Sequence, residues 1–166
     1  PYSGDGQTAV TIDAPLDRLP LLRRSSALVP MFALAADTLE PATDGAVTSF
    51  ADDPYRRELR ILTTDDARDL SLALFDGATA QTGAAGGAFQ ITLRAGSWFD
   101  IVTVELSDVA AAGGAELDGA ALPLAADAAA LATCAAPGCY TVDPARGLLI
   151  RAHLPDASAH TVAVVP

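Results

Sequence analysis

The sequence predicts an all-β protein, and three features carry that expectation. Apolar residues gather in short runs bounded by Gly, Pro, Asp and Ser, which is the spacing of strands and turns and not of long helices. Several runs alternate between a drier and a wetter side, as half-buried strands do. The 166 residues are 51% hydrophobic but only 5% aromatic, so the chain is globular and its core must be built from Ala, Val and Leu.

Strands are expected in the first half at 8–13, 19–23, 27–32, 57–63 and 70–75, and in the second at 89–94, 101–106, 139–142, 148–154 and 160–165. In 57–63, Leu59 and Ile61 oppose Glu58, Arg60 and Leu62. Residues 99–106 set Phe99, Ile101, Thr103 and Glu105 against Asp100, Val102, Val104 and Leu106, an imperfect alternation that fits a strand with one drier face. The Ala-rich stretches 108–114 and 125–132 have helix propensity without a stripe of large apolar residues, so one short helical turn is expected there. Gln81-Thr82-Gly83-Ala84-Ala85-Gly86-Gly87 is small and uncharged, the composition of a linker or an exposed hairpin tip. Dividing the chain there gives two consecutive small antiparallel β-sandwich subdomains, 1–82 and 83–166. Each could bury about 60% of its unfolded surface, and mutual packing would help both.

Charge excludes some partners. Ten basic residues, all Arg, stand against 21 acidic ones for a net charge of −11, and the only adjacent basic pairs are Arg23-Arg24 and Arg56-Arg57. Nucleic acid needs a concentrated basic face and is not an expected partner. A membrane is not expected either, because no apolar run reaches the roughly 18 residues of a spanning helix. The polar opening Tyr2-Ser3-Gly4-Asp5-Gly6 lacks the regions of a signal peptide, and the chain is read as a soluble piece of something longer.

Ala14-Pro15-Leu16-Asp17-Arg18-Leu19-Pro20 is followed by Arg24 and then by Leu28-Val29-Pro30. That order and spacing resembles the segment after the catalytic barrel in glycoside hydrolase family 31, the α-glucosidase and α-xylosidase family. Leu74-Phe75-Asp76-Gly77 is similar to the signal that closes the family's proximal C-terminal β-domain. Leu117-Asp118-Gly119-Ala120, Cys139-Tyr140-Thr141-Val142-Asp143-Pro144 and Leu148-Leu149-Ile150-Arg151 followed by His160-Thr161-Val162 resemble its distal β-domain. The resemblance implies a proximal and a distal β-sandwich packed beside a (β/α)8 barrel. It transfers no catalytic residue, because the family's two catalytic Asp residues belong to the barrel and this chain has no alternating strand-helix pattern. One departure is Ser25-Ser26 in place of the family's Ala-Gly, which predicts a relaxed or reshaped turn where Gly would take positive φ.

Without the family, Pro15 and Pro20 fix φ and remove amide donors, so the residues between them form a turn or an edge. Arg18 and Arg24 are then candidates for contact with a catalytic barrel, since a guanidinium fork suits a bidentate partner. Asp52-Asp53 and Asp65-Asp66 are adjacent carboxylates, but neighbours on a strand point to opposite faces, and no catalytic pair is assigned. No Asp-x-Asp-x-Asp-Gly loop points to calcium, and neither metal nor cofactor is expected. His153 and His160 lie on successive expected strands and are read as a surface residue and a turn residue, since two imidazoles seldom complete a metal site. The Gly-rich 83–87 segment lacks the Lys-Ser/Thr of a phosphate loop.

Cys134 and Cys139 frame Ala-Ala-Pro-Gly, a turn able to bring them together, and a disulfide is expected. It would contribute about 2 kcal/mol by loop entropy and would place the chain in a periplasmic or extracellular compartment. Trp98 and Tyr140 are candidate sugar platforms; the competing reading has Trp98 plugging a seam or facing the barrel. The expected function is a non-catalytic accessory β-domain that braces the barrel of an α-glycosidase. The alternatives are a carbohydrate-binding module holding oligosaccharide through Trp98 or Tyr140, and a secreted adhesion or assembly sandwich that binds through its edge strands.

Overall fold

The computed structural model describes residues 26–32, 43–47, 49, 57–64, 66–107, 109 and 112–166. Among these residues eleven strands and one short helix follow in order: β1 Val29–Phe32, β2 Glu58–Thr64, β3 Ser71–Ala73, β4 Thr79–Ala85, β5 Ala88–Arg94, β6 Ile101–Ser107, β7 Gly114–Leu117, β8 Ala120–Ala121, α1 Ala128–Ala132, β9 Gly138–Asp143, β10 Gly147–His153 and β11 Ala159–Val165. The expected strands at 8–13 and 19–23 lie outside the described residues.

Two sheets form an all-β sandwich. One has the order β1-β2-β6-β10-β9 and the other β3-β4-β5-β11-β7-β8. Period-2 alternation decides which side chains meet between them. Leu59 and Ile61 of β2, Val102, Val104 and Leu106 of β6, and Leu148, Ile150 and Ala152 of β10 line the inner face of the first sheet. They share one buried cluster with Phe89, Ile91 and Leu93 of β5, Ala115 and Leu117 of β7, and Val162 of β11. The two sides expected of β2 and β6 are the ones observed, but in β6 both are buried and neither faces solvent.

The expected boundary between 82 and 83 is not present among the described residues. Thr82 and Gly83 are consecutive in β4 and pair with Ile91 and Gln90 of β5. Gly86 and Gly87, with φ of 58° and 87°, make the two-residue turn between them. Two successive positive φ values suit the right-handed twist of a hairpin. The segment is therefore a hairpin whose strand reads as a linker because it has no large side chain, although Ala80 and Thr82 are buried. Strands from both halves also share each sheet: β2 runs parallel to β6 from Glu58↔Ile101 to Thr64↔Ser107, whereas the other pairs of named strands are antiparallel. The short β7 and β8, in the Ala- and Gly-rich region, went unread for the same reason as β4.

The expected helical turn is present as α1, capped by Asp127, whose Oδ1 accepts from Ala130 N at 2.8 Å. The turn at Ser26 is not reshaped, contrary to expectation. Ser26 keeps φ at 55°, and its amide donates to Thr64 Oγ1 at 3.1 Å, which offsets part of the roughly 1–2 kcal/mol cost of a left-handed residue.

Candidate functional site

One end of the sandwich is organised by Asp76. The β3–β4 turn and the β5–β6 loop meet there, and the Asp76 carboxylate accepts from three backbone amides: Ala78 N to Oδ1 at 3.0 Å, and Trp98 N and Phe99 N to Oδ2, both at 3.2 Å. The Asp76 carbonyl also accepts from Ser97 N at 3.0 Å and Ser97 Oγ at 3.3 Å. Asp76 thus spends its oxygens on holding two loops together and is not placed as an acid or base. Gly96 makes room for this: a Cβ there would lie 2.0 Å from Asp76 Oδ2.

The pinned loops carry a cluster of rings. Phe75 is 73% exposed and Trp98 49%, and their rings meet edge to face, with centroids 5.3 Å apart and planes at 90°. Phe99 is buried beneath, 6.2 Å from both Phe75 and Phe32. Met31 and Phe32 of β1 extend the exposed apolar area, and a groove of about 170 Å³ runs between Pro30, Met31, Phe32, Leu74, Phe75 and Phe99. Beside the rings an open cleft of about 460 Å³ is lined by Asp76, Thr79, Arg94, Ser97 and Ala157 among others. The edge-to-face arrangement is one that aromatic pairs prefer, and here it leaves an exposed apolar surface.

Tyr140, the other candidate ring, sits on edge strand β9, half-buried against the main core. The structure therefore places Trp98 and Tyr140 on separate elements. Arg18 and Arg24 lie outside the described residues, as do Asp52, Asp53 and Asp65. Asp66 is exposed, and hydrogen bonding from the Thr64 hydroxyl lowers its pKa below the usual carboxylate value.

Cys134 and Cys139 form the expected disulfide, with Cα atoms 6.2 Å apart. Its loop lies over the outer face of the five-stranded sheet, where α1 and the disulfide cover a second apolar cluster of Leu131, Cys139 and Leu149. The Cys134 carbonyl accepts from Arg151 Nη1 and from His153 Nε2, each at 2.9 Å. A carbonyl can only accept, so Nε2 of His153 carries a proton. Arg151 also donates through Nη2 to Glu58 Oε2 at 2.9 Å, and Glu58 Oε1 accepts from Thr103 Oγ1 at 2.5 Å. The Arg151 and Glu58 side chains are 7% and 9% exposed. Glu105 on the same face receives both Arg60 and Arg146 at 2.6 Å. The sequence set Glu58 and Arg60 opposite Leu59 and Ile61, and Thr103 and Glu105 opposite Val102 and Val104; the ion pairs compensate the burial of this charged side.

His153 and His160 do not meet across a hairpin, because β10 and β11 belong to different sheets. Nor is His160 a surface residue: its side chain is 7% exposed, on the core-facing row of β11 with Val162. Nδ1 lies 2.7 Å from Asp118 Oδ2, and Nε2 lies 3.2 Å from both Asp156 Oδ1 and Ser158 Oγ. The hydrogen bond that His160 donates to Asp118 raises the His160 pKa; burial opposes this, and Asp156 adds to the rise. Ionised carboxylates only accept, so two of them at two ring nitrogens favour the doubly protonated ring. Such a ring has no lone pair for the Ser158 proton, and the Ser158–His160–Asp118 alignment is not a nucleophilic triad. Sequence reasoning missed this cluster because Asp118 is 42 residues from His160; the hairpin signal Asp118-Gly119 was the available clue.

No protein-family model matches the chain, and no curated protein sequence matches it. Solved structures do. An uncharacterized Listeria monocytogenes protein in complex with α-D-glucose, β-D-glucose, magnesium and calcium matches with a TM-score of 0.66 at 18% identity, over 93% of this chain and 14% of that one. The Listeria monocytogenes cycloalternan-forming enzyme in complex with a pentasaccharide substrate matches at 0.64 and 19% identity, with the same coverage. A Flavobacterium johnsoniae dextranase of glycoside hydrolase family 31, complexed with glucose, matches at 0.60 and 10% identity, over 95% of this chain and 21% of that one. The shared property at these identities is the fold. The chain spans about one seventh to one fifth of the length of those proteins.

Proposed function

We propose that this chain is a non-catalytic accessory β-sandwich of a larger family 31-like glycoside hydrolase, and that it braces the catalytic barrel of its parent. The observation that carries the reading is the fold match over nearly all of this chain to small portions of carbohydrate-active enzymes, in agreement with the Ala14–Pro30 spacing and with Leu74-Phe75-Asp76-Gly77. The chemistry at the ring-bearing end is adhesive, with the Asp76 oxygens committed to backbone amides. An exposed surface formed by Met31, Phe32, Phe75 and Trp98 suits burial against another domain. Arg18 and Arg24 are the proposed polar contacts to the barrel, and the disulfide favours an oxidising compartment.

The test uses the isolated chain and a polypeptide joining it to the catalytic portion. The isolated chain is expected to release no glucose from α-linked gluco-oligosaccharides. In the joined form, Phe75→Ser with Trp98→Ser is expected to lower the thermal midpoint of the catalytic portion. Turnover by the isolated chain, or an unchanged midpoint, would overturn the reading. A second reading, an oligosaccharide-binding module, draws on the exposure of Trp98 beside the open cleft. Saturable changes in Trp98 fluorescence at millimolar sugar would favour it.

A further inference from the structure

We propose that His160, Asp118 and Asp156 form an acid-stabilised clasp that ties the β7–β8 hairpin and the β10–β11 connection to the centre of the six-stranded sheet, and that the clasp loosens as pH rises from neutral into the alkaline range. The geometry carries this. His160 stands on β11, a central strand bonded to β5 on one side and β7 on the other. Asp118 opens the β7–β8 turn at a φ of 52°, a left-handed position stabilised by two bonds from β11: His160 Nδ1 to Oδ2 and Thr161 N to Oδ1, both at 2.7 Å. Asp156 lies in the connection that leads into β11. Its Oδ1 accepts from Ser158 N at 2.7 Å while facing His160 Nε2.

Among the described residues no other charged side chain bonds to the ring. The charged side chains on the flanking strands are Arg94 on β5 and Glu116 on β7. Arg94 donates through Nε to Ala157 O at 3.2 Å, and Glu116 pairs with Ala163, which the alternation of β11 places on the face opposite His160. Leu93 sits directly across from His160 in the register. The ring is thus held between two carboxylates and an apolar strand, and ionisation decides whether it bonds to both.

The direction follows from linkage. The folded His160 pKa lies above its ordinary 6.5, so the clasp's contribution is complete below that pH and is lost as pH rises through the folded value. The carboxylates set the acid limit. Asp118 is held below 3.8 although burial raises it, because the bonds from His160 and the Thr161 amide outweigh burial; the Ser158 hydroxyl and amide lower Asp156. Their contribution disappears as pH falls through those lowered values, and the clasp is strongest between the two limits.

NMR titration of His160 in the full chain, with urea unfolding between pH 6 and 9, tests the proposal. The ring is expected to titrate above 6.5, and Asp118→Asn is expected to lower that midpoint. Between pH 6 and 9 the folded-to-unfolded ratio of the wild type is expected to fall by at least about threefold more than that of His160→Gln. A ring that titrates at or below 6.5, or identical pH dependence in the two proteins, would overturn the clasp. If His160→Gln does not fold, Asp156→Asn, at an exposed position, takes its place with the same expected direction.

Discussion

Two connections of this sandwich are held down by buried cations, and the cations differ in kind. On the five-stranded sheet, Arg151 reaches the Cys134 carbonyl and Glu58, fastening the loop that the disulfide also closes. On the six-stranded sheet, His160 reaches Asp118 and Asp156, with no covalent link beside it. The guanidinium keeps its proton throughout the pH range that proteins meet, whereas an imidazole crosses its titration within that range. A guanidinium therefore fastens one connection and a titratable imidazole the other, although both use a cation against carboxylates for the same mechanical task.

Replacing Arg151 by Met probes the first region and should have the largest effect. It leaves Glu58 charged and buried, which is expected to cost about 3–5 kcal/mol in urea unfolding at neutral pH. The double variant Glu58→Met with Arg151→Met should recover most of that loss, because volume is kept and no lone charge remains. If the single variant is as stable as the wild type, the buried pair is not what fastens the loop.

Changing Cys134 and Cys139 to Ser is expected to cost about 2 kcal/mol, read as the shift in urea midpoint with and without reductant. A much smaller loss would mean that Arg151 and His153 hold the loop unaided. Asp76→Ala removes the acceptor of three amides and should cost about 1–2 kcal/mol. A red shift in Trp98 emission should accompany it as the β5–β6 loop loosens. The smallest effect is expected at Arg57, 66% exposed in its pair with Asp100: Arg57→Ala should cost about 0.2–1 kcal/mol, diminishing with salt.

Much of the sandwich was legible in the sequence because large apolar residues mark its central strands. Leu59 and Ile61, Val102 to Leu106, and Leu148 to Ile150 alternate or cluster as a buried strand must, and they fall inside β2, β6 and β10. The reading failed where strands are built from small residues. In Thr79–Ala85 no side chain is large enough to announce burial, and the glycines pointed to a linker although they make a hairpin turn. The disulfide was legible because its two cysteines are five residues apart. The pairings of Glu58 with Arg151, 93 residues apart, and of Asp118 with His160, 42 apart, depend on which strands become neighbours, and local pattern does not encode that. Asp76 was singled out as part of a motif, but its task of pinning residues 97–99 appears only when the two loops are brought together.

The order of strands within the sheets bears on how the chain reaches this structure. β10 lies between β6 and β9, and β11 lies between β5 and β7, so the last strands in sequence are interior to both sheets. Until residues 147–165 have left the ribosome, β6 lacks one neighbour, β5 and β7 are not yet joined, and Leu148, Ile150, Ala152 and Val162 are missing from the core. Contacts of such long sequence separation make for slow folding. This sandwich is accordingly expected to fold only after its synthesis is essentially finished, exposing bare strand edges to chaperones until then.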